Sequence, residues 1–221
     1  MTEAVIVAAA RTPIGRAFKG SIKDIRPDDL SAQVIQAALA QVPGLDPALI
    51  EDLYWGAADH TGKAGGNVAR VIAVLLGFDH LPAVTINRYC ASSVQTTRMA
   101  YHAIKAGEGE VFISGGVESV SQYTSFLGAG GIFESDHNPV FADAKARSEA
   151  MAQGNVTWTD PRLEGLLPDV YLSVGQTAEN VATSRGITRA RQDEWAVTSQ
   201  NRAEAAIASG FFAADISPVT C

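Results

Sequence analysis

Apolar and polar positions alternate in blocks along most of this chain. Ala4 to Ala10 is an uninterrupted apolar run that stops at Arg11-Thr12-Pro13. Such a run predicts a strand buried on both faces. Pro27-Asp28-Asp29 then supplies a helix start, with acids at the positive end of the dipole. Leu30, Val34, Ile35, Ala38, Leu39 and Val42 form one apolar face, and Pro43-Gly44 ends the helix. A strand is predicted at Leu53 to Ala58, and a helix from about Asn67 to Leu76, closed by Gly77. The β-branched stretch Ala83 to Arg88 predicts another strand. It leads through Cys90 into a helix from about Ser92 to Ala106, terminated by Gly107. That helix carries only Arg98 and Lys105 as charges and is expected to be buried. Val111 to Ser114 is a further β-rich run, broken by Gly115-Gly116. Alternating strands and helices predict an α/β fold with a mainly parallel sheet.

The texture changes after Glu118. Residues 119–172 are rich in Gly, Ser, Asn, Asp and Pro, with little periodicity, and read as an inserted loop-rich segment. Order returns at Thr177 to Ser184 and in an Ala-rich helix from about Arg189 to Ser209, stopped by Gly210. Asp215 to Val219 reads as a returning strand with no helix to cover it, the pattern of a chain cut from something longer.

Composition narrows the function classes. The 221 residues are 47% apolar, enough for a core and too many for disorder. Lys and Arg total 17 against 24 Asp and Glu, a net charge of −7. That balance argues against a nucleic-acid partner and against an anionic membrane surface. The longest apolar run, near Val71 to Leu76, is far short of a membrane span, so no membrane insertion is expected. The N-terminus has no basic region before its apolar stretch, so no secretory signal is read and a cytoplasmic location is the expectation. Two cysteines exclude a disulfide framework and a four-cysteine zinc site. His60, His80, His102 and His137 are too dispersed for a local metal pair, so no metal is assigned.

The chemistry concentrates at Cys90. A cysteine between a strand and the first turn of a helix meets free N–H groups and a dipole that favour the thiolate. Against this stands the ordinary role of a free cysteine as a small buried hydrophobe, and placement alone leaves the two near even. Ala91, Ser92 and Ser93 are small enough to let a neighbouring element or a substrate approach. His102 lies about 18 Å along the same helix and is no base for Cys90. Thr61 to Gly66 and Gly128 to Phe133 fail as nucleotide loops and read as turns. No G-x-S-x-G is present. Glu118, after the glycine pair, reads as a structural hydrogen-bond acceptor in preference to a catalytic acid.

Four ordered motifs carry a resemblance. RTPIGRAFKG, VTINRYCASSVQT, GEVFISGGVESVS and the stretch from VGQTAENVATSRG to EAAIASGFF resemble, in that order and spacing, the motifs of the thiolase family of acyl-CoA acyltransferases. The resemblance runs end to end. It implies an αβαβα layered fold, of which this chain is the first half only, with an inserted loop-rich subdomain. Its divisions would be a core half at 1–118, a loop domain at 119–214 and the start of a returning strand at 215–221.

The resemblance further implies that Cys90 is the acyl-accepting nucleophile, its N–H part of an oxyanion hole. Acyl-CoA and coenzyme A would be substrates, in lipid metabolism and fatty-acid degradation, and no cofactor would be needed. Val174-Gly175 stands where the family commonly has Met-Gly beside the acyl pocket, so both are candidate substrate-binding residues. The family's second cysteine, in C-x-G-G-G, and its histidine, in G-H-P, belong to the second half, and neither motif occurs in these 221 residues. The chain alone is therefore expected to be inactive, to need the C-terminal half of the fold as a partner, and to form homo-oligomers. Two other readings stand beside this one: a non-catalytic acyl-CoA-binding protein or subunit that pairs with a separate second half, and a condensing enzyme of fatty-acid synthesis.

Overall fold

The computed structural model describes residues 3–123, 134–153 and 158–221. They form two compact units, one of residues 1–126 with 213–221, the other of 127–212. The first is a mixed α/β unit built on a parallel sheet of β1 (Asp52–Gly56), β2 (Ala83–Ile86) and β3 (Phe112–Gly116), in the order β2-β1-β3. Three helices accompany it: α1 (Pro27–Leu39), α2 (Val68–Leu75) and α3 (Ser92–Ala106).

The two-residue period of β1 divides the unit into layers. Leu53 and Trp55 point to one face and are sealed there with Ile35 of α1 and Val68, Ala69, Ile72 and Ala73 of α2. Inside this core the Trp55 Nε1–H donates to Ser31 Oγ at 3.0 Å, and the Ser31 hydroxyl donates to the Pro27 carbonyl at 2.6 Å. Gly115 of β3 is opposite Trp55 in register, and a Cβ there would meet the indole ring at 2.4 Å. The glycine pair thus lies inside the strand and does not break it. Gly56 and Gly116, one residue on, face α3.

Helix boundaries follow local chemistry. Asn67 caps α2, its side chain accepting the Arg70 N–H, and Thr85 Oγ1 donates to the same Asn67 oxygen. α3 closes on Gly107 in the left-handed conformation (φ 77°).

Three further expectations are corrected. Residues 4–10 form no strand. Val5, Ile6 and Val7 are 71%, 79% and 70% exposed, because no strand among the described residues pairs with them. A cleft of about 500 Å³ lies between this extended stretch, α1 and the far edge of β3, lined by Ile6, Ala8, Val34, Ile35, Ile113 and Gly115 among others. Asp215 to Val219 makes only an isolated parallel bridge, Ile216 with Arg11, held by two backbone hydrogen bonds and an Arg11–Asp215 ion pair at 2.8 Å. Finally, α3 is buried on one face only, through Ser92, Thr96, Ala100 and Ala103, while Val94 is 71% exposed.

The second unit holds α4 (Ala142–Gln153), α5 (Val174–Arg185) and α6 (Arg189–Ala208). α4 was not legible, because its apolar positions are mostly alanines without a stripe of larger side chains. His137 stacks on Tyr171 with ring centroids 3.8 Å apart, and Phe141 meets the same ring edge-on. The Gly128 to Phe133 turn lies outside the described residues. No described helix is long and apolar enough to cross a membrane.

Candidate functional site

Cys90 is an exposed free thiol immediately before Ala91, the N-cap of α3. No side chain caps this helix start, and the N–H of its first residue, Ser92, is taken by the Tyr89 carbonyl. Cys90 thus sits at the positive end of the helix dipole.

The turn that delivers Cys90 is tightly made. Tyr89 has φ 47°, a left-handed conformation costly for a residue with a Cβ. Its N–H donates to Asn87 Oδ1 at 2.8 Å. Its carbonyl accepts from the Ser92 N–H at 3.0 Å and from Ser92 Oγ at 2.6 Å. Ser92 Oγ in turn accepts the Arg88 N–H at 2.9 Å. The backbone just before the cysteine is thereby tied to the first turn of α3.

Small residues let that turn sit on the sheet. A Cβ on Gly56 would lie 2.7 Å from Ser92 Cβ, and one on Gly116 would lie 2.5 Å from Ser93 Oγ. Thr96 Oγ1 reaches the Gly115 carbonyl at 3.1 Å, fixing α3 along β3.

Beside the turn lies a group of polar side chains. Glu118 accepts the Ala58 N–H at 2.8 Å and the Asp59 N–H at 3.3 Å, the structural role its position suggested. Asp59, buried, accepts from the N–H and hydroxyl of Thr61 through Oδ1, and its Oδ2 has no partner among the described residues. Tyr123 completes the group. Burial pushes its phenol well above the usual range; a hydrogen bond to Glu118 and the charges of Glu118, Asp59 and Cys90 add to the rise. Asp59 and Tyr123 carry no role in the sequence reading. The charge of the one and the aromatic ring of the other were visible there, but nothing local placed them near residue 90.

His102 makes an edge contact with Tyr101 in the C-terminal half of α3, away from Cys90. Val174 and Gly175 open α5 in the second unit. Val174 is exposed, and its carbonyl accepts from Thr177 Oγ1 at 2.7 Å. Among the described residues no group of three or more His, Cys, Asp or Glu is arranged to hold a metal ion.

Comparison with known proteins adds the family context. The profile of the thiolase N-terminal domain matches residues 4–221. A beta-ketoadipyl-CoA thiolase of Acinetobacter baylyi is 39% identical over the whole chain, which covers 52% of that protein. A 3-ketoacyl-CoA thiolase of Pseudoalteromonas translucida is 39% identical over 98% of the chain and 49% of its own length. A 3-ketoacyl-CoA thiolase of Bacillus subtilis is 37% identical over 99% of the chain and 49% of its own length. The chain spans about half the length of the curated relatives it matches.

Proposed function

The chain belongs to the thiolase family, and from that premise we propose that it is the nucleophile-bearing half of an acyl-CoA C-acyltransferase that forms an acyl-enzyme on Cys90. The observation that carries this reading is the exposed Cys90 thiol at the uncapped start of α3.

The Cys90 thiolate attacks the carbonyl carbon of the acyl thioester. A new C–S bond forms, the bond to the sulfur of coenzyme A breaks, and coenzyme A leaves as its thiolate. The transient oxyanion is met by the N–H of Cys90. In thiolysis the same thiolate attacks the keto carbon of a 3-ketoacyl-CoA. The carbon–carbon bond breaks, the shortened acyl group stays on sulfur, and acetyl-CoA leaves once its enolate is protonated. That proton comes from an acid outside these 221 residues, in the part of the relatives that this chain does not span. Val174 and Gly175 are the proposed acyl-pocket residues. Val is shorter than the family's Met and branched, so the chain is proposed to differ from Met-bearing members in acyl preference.

Two features support a partner half. The cleft between residues 4–10 and β3 leaves the outer edge of β3 without a strand partner among the described residues, and Val94 and Tyr101 leave the outer face of α3 partly apolar and exposed. Exposed apolar surface of this kind favours association. The chain by itself is proposed to acylate slowly, not to turn over, and to self-associate.

Incubation with acetyl-CoA followed by intact-mass and peptide-mass measurement tests the reading. One acetyl group on Cys90 is expected. A Cys90→Ala protein that gains the acetyl group as fast as the parent overturns the assignment.

A further inference from the structure

Three stretches of chain, far apart in sequence, meet at one point behind the nucleophile turn. Glu118 follows β3, Ala58 follows β1, and Asn87 follows β2. Glu118 holds the N–H groups of Ala58 and Asp59. The carbonyl of Ala58 accepts from Asn87 Nδ2 at 3.0 Å. The other end of the same amide, Asn87 Oδ1, accepts the Tyr89 N–H at 2.8 Å. Tyr89 is the left-handed residue immediately before Cys90.

From this continuous line we propose that Asn87, set in place by Glu118, is a positioning residue for Cys90. Neither side chain needs to touch the acyl group. Asn87 can serve because its amide has a donor and an acceptor at opposite ends, one anchored on the β1 loop and the other on the turn. The Tyr89 conformation is disfavoured for a residue with a side chain. It persists when surrounding contacts over-determine it, and Asn87 and Ser92 are the two side chains that hold its N–H and its carbonyl. Without Asn87 the turn relaxes toward negative φ at Tyr89, and the thiol leaves its place at the start of α3. Glu118 acts one step earlier. Its two oxygens fix the loop whose carbonyl sets the rotation of the Asn87 amide.

The proposal rests on Cys90 being the reactive thiol, so its test uses a reagent other than the thioester. The 221-residue chain is treated with iodoacetamide at fixed pH, and the alkylation rates of Cys90 and Cys221 are read separately by peptide mass. Cys221, also exposed, is the reference in the same tube. Asn87→Ala is expected to lower the Cys90 to Cys221 rate ratio about tenfold, the scale of two hydrogen bonds lost. The second arm separates positioning from general structural damage. Glycine adopts positive φ freely, so adding Tyr89→Gly to Asn87→Ala is expected to recover at least half of the lost ratio on a logarithmic scale. Glu118→Gln, which replaces one acceptor oxygen by a donor amide, is expected to lower the ratio in the same direction.

An unchanged or raised ratio in Asn87→Ala, or no recovery in the double variant, overturns the proposal. Should Asn87→Ala fail to fold by circular dichroism, Asn87→Asp carries the test. It keeps the acceptor for Tyr89 and loses the donor to Ala58, so a lowered ratio supports the proposal and a ratio equal to the parent's overturns it. Failure of the parent chain to take an acetyl group from acetyl-CoA bears on the acyltransferase reading alone, because the alkylation ratios remain readable.

Discussion

Gly56 at the end of β1 lies against Ser92 in the first turn of α3 so closely that a methyl group on it would come within 2.7 Å of Ser92 Cβ and 2.9 Å of the Ser92 backbone carbon. Ser92 is also the residue whose hydroxyl grips Arg88 and Tyr89, the two residues just before the nucleophile. The height of that turn above the sheet is therefore set by the absence of one carbon atom on the central strand.

Gly56→Ala is expected to push the start of α3 away from the sheet. The atoms it meets include backbone, so the clash cannot be relieved by rotating a side chain. Destabilisation of about 1–3 kcal/mol follows from overpacking of this kind, together with slower alkylation of Cys90. Chemical denaturation and peptide-mass kinetics check the two effects, and unchanged values in both would show that the contact is slack.

Trp55→Phe removes the indole N–H that Ser31 accepts in the core and the part of the ring that lies against Gly115. The loss of a buried hydrogen bond and of ring volume is expected to lower stability by roughly 2 kcal/mol. Urea unfolding followed by circular dichroism reads this directly. A variant as stable as the parent would mean that the core closes over the space.

Asp52 lies at the start of β1, where burial raises its carboxyl above the usual range. The Leu53 N–H at 2.8 Å and a hydrogen bond with Tyr54 oppose the rise without cancelling it. The folded protein thus holds this proton more tightly than the unfolded chain. Its favourable contribution is complete below the unfolded carboxylate value of about 4 and is lost as pH rises through the folded value. Asp52→Asn, which keeps an acceptor for Leu53 and has no charge to desolvate, is expected to melt higher than the parent at pH 7. The difference should shrink toward pH 3. A lower melting temperature at pH 7 would contradict the sign.

Tyr123 gives the matching expectation at the alkaline end. Its phenol is raised by burial and by Glu118. The unfolded chain releases that proton above pH of about 10 while the folded chain still holds it, so stability falls as pH rises beyond that point. Tyr123→Phe is expected to flatten this fall between pH 9 and 11, measured by urea midpoints across the range. A slope identical to the parent's would place the phenol in solvent.

Much of the first unit was readable from local pattern. Pro27 with two following acids marked the start of α1, Asn67 the start of α2 and Gly107 the end of α3. Each acts through the backbone of its own turn. The β-branched stretch before Asn87 and the break at Cys90 placed a cysteine at a helix start for the same reason. Residues 4–10 mark the limit of that logic. Their seven apolar side chains suit a buried strand, yet burial requires neighbours, and sequence pattern cannot show whether those neighbours are present. α4 escaped because alanine forms helices well without marking a face.

Local pattern was enough for the three strands of the sheet, the helices of the first unit, the cysteine at the strand-to-helix turn and the ordered motifs of a thiolase, because these depend on residues near one another in the chain. Only the tertiary structure decided what surrounds that cysteine. Ala58 meets Asn87 across 29 positions and Glu118 across 60, since a parallel sheet brings the ends of β1, β2 and β3 together through crossovers whose lengths leave no trace in any local pattern.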